Sequence, residues 1–578
     1  MSADGGPVRP VGPGALDESG LDEERAAPEH VVIAYHERTK HHFSRFAASL
    51  GYMDWSTQPN PFRRYAGADL VHLPLPETGR PLSYDGLYVN DGVATEPLSA
   101  ESLSLFFRYA LSLTAWKSFN KTTWPLRANP SSGNLHPTEG YAVLPPVDGL
   151  ADTASVYHYA PREHALERRG VLDANAQRVL FEPLPPGAFI VGVSSVHWRE
   201  AWKYGERAFR YCQHDIGHAL AGLRIAAAAV GWRLTLLSGT ASDDISRLLG
   251  LDRDQDFEGA EREEPELLAV VAPVHPPIVP HRLNLAAFDS GAVRWCGRAN
   301  ALSVEHGVDW PVIDEVAHAS RRVSEISIAE DRAGVVTEDE FAEPPGSTAG
   351  LTAERVILGR RSAVAMDGVT SIAQTTFFRM LARLMPTLDH QSIPWDAVTW
   401  RPRIHLGLFV HRVDGLAPGL YALPRDSHRL AVLKDVMRPD FQWQRVPSRP
   451  TGLPLYLLQE GDCRRLAARV SCGQDIAADG AFSLGMIADF TDSIAQHGAA
   501  FYRNLFWEAG MIGQVLYLEA EAAGIRATGI GCYFDDPVRE VFGITSHGWQ
   551  SFYHFTVGGP VEDGRLTTLP AYGPEVRA

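Results

Sequence analysis

Between Asn129 and Tyr141 the chain reads NPSSGNLHPTEGY, with two serines, a glycine and an asparagine set between two prolines. Turn residues at that density mark a loop. It is either a plain turn or a cradle, in which backbone N–H groups and short hydroxyls close around a polar ligand. HDIGH at 214–218 places two histidines four apart on one helix face, the spacing of a zinc-binding HExxH. Its acid is Asp and a third ligand is not evident, so no metal is expected; His218 either faces a ligand cavity or is a satisfied helix histidine. LGRRS at 358–362 reads by itself as a solvated basic helix start. KHHF (40–43) and RRY (63–65) could dock a substrate, but a surface charge run is the simpler reading. Gln514, in GMIGQV, reads as a satisfied core amide.

The frame that must position these groups is large. A chain of 578 residues predicts two or more domains, and 45% apolar with 21% charged residues is the balance of an ordinary globular protein. With 53 basic against 70 acidic residues the net charge is −17, which argues against nucleic acid or an anionic membrane as partner. The five cysteines, Cys212, Cys296, Cys463, Cys472 and Cys532, have neither CxxC nor zinc-like spacing, so a reducing cytoplasm is expected. The most apolar helix candidate, Ala219 to Val230, is too short to span a membrane and contains Arg224. Residues 1–30 are Gly, Pro and acid rich and read as a disordered tail.

Internal similarity organises the rest. VDGLADTASVYHYAPREHAL from Val147 matches VDGLAPGLYALPRDSHRL from Val413. The segment from Phe209 to Leu251 aligns without gaps against the one from Tyr502 to Ile544, with Arg210/Arg503, Gly217/Gly510, Gly231/Gly524 and Asp243/Asp536 coincident. Each copy reads as loop, strand, hairpin-like connection, long apolar helix, short strand, small helix and closing strand, a mixed α+β domain. The expected division is a tail (1–30), an N-terminal extension (31–94), a first domain (95–290), a linker (291–350) and a second domain (351–575). Two such copies make a pseudo-symmetric pair, the fused equivalent of a homodimer.

PSSGNLHPTEGY, WKYGERAFRY, LGRRS and EAGMIGQVLYLEAEAAGIRATGIGCYFDD together resemble the nitroreductase superfamily and, within it, the SagB-type azoline dehydrogenases. The resemblance covers about residues 95–290 and 350–575. It implies two tandem three-layer α/β/α domains forming an intramolecular pseudo-dimer, with FMN at the interface. Pro130, Ser131, Ser132 and Asn134 of the first copy would then meet Arg360, Arg361 and Ser362 of the second on one flavin, with Gly529, Ile530 and Gly531 beside the ring. Val364 stands where the family often has a further Arg or Lys, a loss that Arg565 could offset. The first copy has no RRS-like run before its loop. In the second, the VDGLA register places Ala397–Trp400 (AVTW) where Ser131–Asn134 (SSGN) lies in the first. One composite FMN site is therefore expected.

In SagB-type enzymes a Lys-Tyr pair, matching Lys203 and Tyr204, is associated with proton removal during azoline oxidation. Adjacent side chains diverge by 100° on a regular helix, so the two can share a cavity only at an irregular or terminal turn. The leading expectation is an FMN-dependent dehydrogenase acting on a peptide azoline or similar ring. Alternatives are an NAD(P)H-dependent nitro- or quinone reductase and a non-catalytic flavin- or peptide-binding scaffold. A further homodimer is left open.

Overall fold

The computed structural model describes residues 26–75, 81–89, 92–273, 291–323, 350–386, 392–447 and 452–573, together with 280, 282–285, 288, 348. Most of the expected tail, residues 1–25, lies outside the described residues, while Pro28–Arg38 is helical.

Two antiparallel sheets repeat one order. In the first it runs Ala165–Leu172, Ser155–Ala160, Thr138–Leu144, Phe189–Ser195, Glu264–Ala272, Arg233–Leu236. The second runs Tyr456–Glu460, Gly419–Leu423, His405–Val410, Phe482–Asp489, Trp549–Gly558, Arg526–Ile530. Each central strand is almost wholly buried, because helices pack on both faces of its sheet, the long helix on one and short helices such as Ser242–Leu249 and Asp535–Val541 on the other. The expected mixed α+β fold is thus laid down twice, in tandem.

The copies meet through their long helices, Ala208–Ala229 and Phe501–Ala522, 22 residues each. Both are almost fully buried, their charged and polar residues included. Their closest approach is made by Gly217 and Gly510. A Cβ on Gly217 would fall 2.2 Å from the carbonyl oxygen of Trp507 and 2.8 Å from the Cα of Gly510. Only glycine permits that backbone contact. The chain end adds a further cross-tie: Thr567–Leu569 pairs with Leu113–Phe119, whose hairpin partner Thr122–Arg127 leads into the Asn129 loop.

Two expectations are corrected. The span 291–350 is not simply a linker: Val293–Trp295 extends the first sheet and Pro311–Ala319 is a helix, held by Arg503 through the carbonyl oxygen of Ala317. Its acidic, Pro-rich part, 324–347, lies outside the described residues. KHHF and RRY are not a surface charge run either. Lys40 is buried against Glu37 and Asp536, and Arg63 is buried against Glu263. These buried cations persist because each has a carboxylate to offset its desolvation. The N-terminal helix reaches both copies, Tyr35 donating to the carbonyl oxygen of Glu206 and His36 lying 3.1 Å from the Tyr502 hydroxyl.

Candidate functional site

A cavity of ≈ 760 Å³ opens between the copies. From the first come Pro130, Ser131, Ser132, Gly133, Asn134 and Tyr204, and from the second Arg360, Arg361, Ser362, Gly529, Ile530 and Gly531. The loop and the arginines are joined directly. Arg360 donates to the carbonyl oxygens of Ala128 (3.2 Å) and Arg127 (2.9 Å). Arg361 donates to Thr114 Oγ1 (3.2 Å) and to the carbonyls of Leu358 (2.9 Å) and Arg360 (2.6 Å). Among the described residues, these hydrogen-bond partners are all neutral oxygens. Burial pulls Arg361 down to about 10, helped by the neighbouring Arg360, and lowers Arg360 too. Arg127, a third guanidinium on the wall, is likewise lowered to about 10 by burial.

The loop owes its shape to left-handed residues, Gly133 at φ 57, Asn134 at φ 61 and His136 at φ 54. Several of its polar groups are used within the protein. The Oγ of Ser131 accepts the N–H of His136 (2.8 Å), and Asn134 donates to the carbonyl oxygen of Pro125 (2.9 Å) while its Oδ1 meets His136 Nε2 (3.1 Å). Asn129 differs: it is buried on the wall, with both amide atoms unpartnered. Such orphaned groups are costly, and a bound polar ligand would satisfy them. Sequence reasoning passed over Asn129, although it opens the loop and is the natural amide to look at there.

Opposite the loop, the Gly529–Gly531 turn is pinned from behind. Gly529 N–H donates to the Tyr517 hydroxyl (3.0 Å), to which Ser362 also donates (3.0 Å). The carbonyl of Gly531 accepts from Tyr211 (3.1 Å). His218 lines the cavity with Nδ1 unpartnered, and its Nε2 is 3.3 Å from the Tyr553 hydroxyl. Arg565 is not among the lining residues. Its guanidinium forks onto Asp563, two residues upstream on an exposed turn, and its side chain remains 75% exposed. Gln514, expected to be a satisfied amide, has its Oε1 buried without a partner.

Lys203 and Tyr204 occupy the last turn of the helix His197–Tyr204, which Gly205 ends at φ 55. A Cβ on Gly133 would fall 2.6 Å from Tyr204 Oη and 3.1 Å from Lys203 Nζ. Both polar ends therefore press on the same loop glycine. Desolvation lowers Lys203, with Glu200 acting against it, and burial raises Tyr204 well above its ordinary value. Two carboxyls lie buried just behind. Asp215 accepts the Ser132 N–H (3.1 Å) and is pushed up to about 7 by burial; Glu200, with both oxygens unpartnered, is raised well above its usual range by burial and by Asp215.

The pseudo-symmetric position is closed. Trp395, Val398 and Trp400 are buried there, Asp396 is forked by Arg224 (2.9 and 2.8 Å), and Arg425 stacks over Trp395 at 4.3 Å. Among the described residues, Ala397–Trp400 presents no comparable polar wall, Thr399 Oγ1 being its one unpartnered buried side-chain polar atom.

The nitroreductase family model matches residues 94–260 and 440–559, one stretch in each copy. A candidate nitroreductase of Methanocaldococcus jannaschii is 26% identical over 163 residues, 27% of this chain and 76% of that protein. Among solved structures, one from Anabaena variabilis, described in the same terms, superposes with a TM-score of 0.66 at 23% identity. That superposition covers 92% of this chain and 99% of the other, so the likeness extends to the tandem arrangement.

Proposed function

Starting from an FMN-dependent oxidoreductase that carries the nitroreductase-family domain twice, we propose that this chain binds one flavin in the cavity between its copies and dehydrogenates a ring, in the manner of a SagB-type azoline dehydrogenase. The donor set fits that cofactor. Arg360, buried, and Arg361, half-buried, hydrogen-bond to neutral oxygens; Glu521 acts on both but is bonded to Arg526, and a phosphate would add negative charge to this cationic cluster. Asn129, with its amide free, and the Ser131–Asn134 loop would hold the polar edge of the ring, with Pro130, Ser362 and the Gly529–Ile530–Gly531 turn shaping the rest. FMN, when bound, supplies hydride acceptance, which no side chain offers.

What remains for the chain is the proton. Forming C=N or C=C from a saturated ring removes H⁻ and H⁺ from neighbouring atoms. The observation that carries the reading is the convergence of Lys203 Nζ and Tyr204 Oη on Gly133. An ordinary lysine, near pKa 10.4, is protonated at neutral pH and cannot act as base. Desolvation lowers Lys203, and Glu200 beside it is itself driven toward the neutral acid, which weakens the counter-charge. Lys203 would take the proton at Nζ from beside the cavity, whose lining includes Tyr204 but not Lys203. Tyr204 keeps its own proton and orients the amine or the substrate.

The test is Lys203→Ala with flavin bound, assayed on an azoline-containing peptide. Loss of the base should lower turnover by about 10²–10⁴. A second reading, an NAD(P)H-dependent nitro- or quinone reductase, is favoured by the description of the M. jannaschii relative. There protons come from water, Lys203→Ala is mild, and NADH or NADPH bleaches the flavin rapidly.

A further inference from the structure

Cys472 and Cys532, 60 residues apart in sequence, have their Sγ atoms 2.8 Å apart. A modest approach would bring them to the ~2.05 Å of a disulfide. Nothing in their spacing announced this contact. Cys472 follows the helix Arg464–Val470 and sits at φ 55, a left-handed conformation unusual for a residue with a Cβ. It is held there by its surroundings: Phe534 N–H donates to the Val470 carbonyl (2.8 Å), and Gln474 bridges the carbonyls of Ser471 and Cys532 (2.8 Å each). Cys532 follows Gly531 directly, is half-buried and lines the cavity. Cys532 thus borders the space open to a small molecule.

The surroundings also separate the roles of the two sulfurs. His41 Nδ1 accepts the N–H of Ala47 (3.0 Å), which puts the ring proton on Nε2, and the ring acts on Cys532 to favour its thiolate. Arg207 adds positive charge. Asp535, Tyr204 and Tyr211 are the remaining titratable groups around the pair, Asp535 being neutralised by Arg207 and Arg210. We propose that Cys472 and Cys532 form a reversible redox pair in the cavity wall, Cys532 the attacking thiolate and Cys472 the resolving thiol, taking a low-molecular-weight disulfide as oxidant.

The Sγ contact with Cys472, opposed by burial and reinforced by His41, lowers Cys532 well below an ordinary thiol and favours its thiolate. Its attack on RSSR forms Cys532–S–SR and releases RS⁻. Cys472, pushed up chiefly by its bond to the Cys532 sulfur, loses that restraint once Cys532 is capped. It then attacks Cys532, forming the internal disulfide as the second RS⁻ leaves with the Cys472 proton. Two protein thiols are oxidised by two electrons and one RSSR is reduced to two thiols. The bond would tie the Gly529–Gly531 turn to the end of the Arg464–Val470 helix, so the cavity wall would change with thiol poise.

The test uses the full chain and glutathione disulfide. After incubation, acid quench and alkylation of free thiols, peptide mass spectrometry should find Cys472 joined to Cys532, reversed by dithiothreitol, and Cys472→Ser should instead accumulate glutathione on Cys532. Independently, iodoacetamide alkylation of Cys532 should change by less than about threefold between about pH 6 and pH 8, while exposed Cys296 rises on the order of 100-fold. A stable glutathione adduct on wild-type Cys532 with no internal bond, or a Cys532 alkylation rate that climbs with pH as Cys296 does, would overturn the proposal.

Discussion

Arg360 of the second copy donates its Nε–H to the backbone carbonyl of Ala128 in the first, 3.2 Å away, one residue before the loop that opens at Asn129. The bond makes the two walls of the cavity one unit. The two arginines cross to different places: Arg360 fastens the loop to the second copy, while Arg361 reaches Thr114 Oγ1 and, at 3.5 Å, the Thr114 carbonyl on the Leu113–Phe119 strand, besides carbonyls of its own turn.

Arg361→Ala should weaken FMN while leaving the Arg360 tie between the copies in place. A charge-assisted bond to phosphate contributes about 1.5–3 kcal/mol, equivalent to roughly 10- to 150-fold in Kd. Fluorescence titration of the apoprotein measures this, and Arg361→Lys should recover part of the loss because it keeps charge but not the fork. Unchanged affinity in Arg361→Ala would remove the phosphate assignment.

At the crossing of the long helices, Gly510→Ala sets two effects against each other. Helix propensity favours alanine by about 1 kcal/mol. The new Cβ, however, would fall 2.2 Å from the carbonyl oxygen of His214 and 2.9 Å from the Cα of Gly217, so the backbones must part. Overpacking of that kind costs about 1–3 kcal/mol or more, and the net effect should be a lower urea midpoint. A midpoint that rises would mean that the helices do not touch there.

His158 gives a pH signature. It is buried between Glu139 (3.0 Å) and Glu167 (2.8 Å). Burial disfavours its charge, but the hydrogen bonds to the two carboxylates outweigh it and raise it to about 9. Because the folded value exceeds the unfolded one near 6.5, the stabilisation is complete below about pH 6.5 and is lost as pH rises through about 9. The loss should approach about 3 kcal/mol, and His158→Gln should flatten that part of the stability curve. Urea melts from neutral to alkaline pH decide it; wild type and variant falling together would refute the assignment.

The repeat was legible because it rests on chemistry that cannot be substituted freely. The glycines at 217 and 510 and the apolar helices around them are needed by any pair of helices this close, and their ungapped match places both helix ends in register. By residue type alone the Ser131–Asn134 loop could be a plain turn and Arg360–Ser362 a solvated helix start; only the family resemblance joined them, and the structure lines one cavity with both. Long-range pairing was not legible. Arg63 and Lys40 look like surface charges until Glu263 and Asp536, hundreds of residues away, are brought to them. Likewise Arg565, a plausible phosphate ligand by type, is captured by Asp563, and Cys472 meets Cys532 only through tertiary packing. The structured part of 291–350 was hidden because short strands and one helix draw their stability from the copies they pack on.

The central claim is one composite flavin site per chain, and the most direct measurement is the stoichiometry of FMN on the intact apoprotein, by calorimetric or fluorescence titration. The account predicts one FMN per chain, with affinity lowered alike by Asn129→Ala in the first copy and Arg361→Ala in the second. Two FMN per chain would contradict it, because the buried Trp395, Val398 and Trp400 would then have to yield a second cavity; so would a single FMN indifferent to both substitutions.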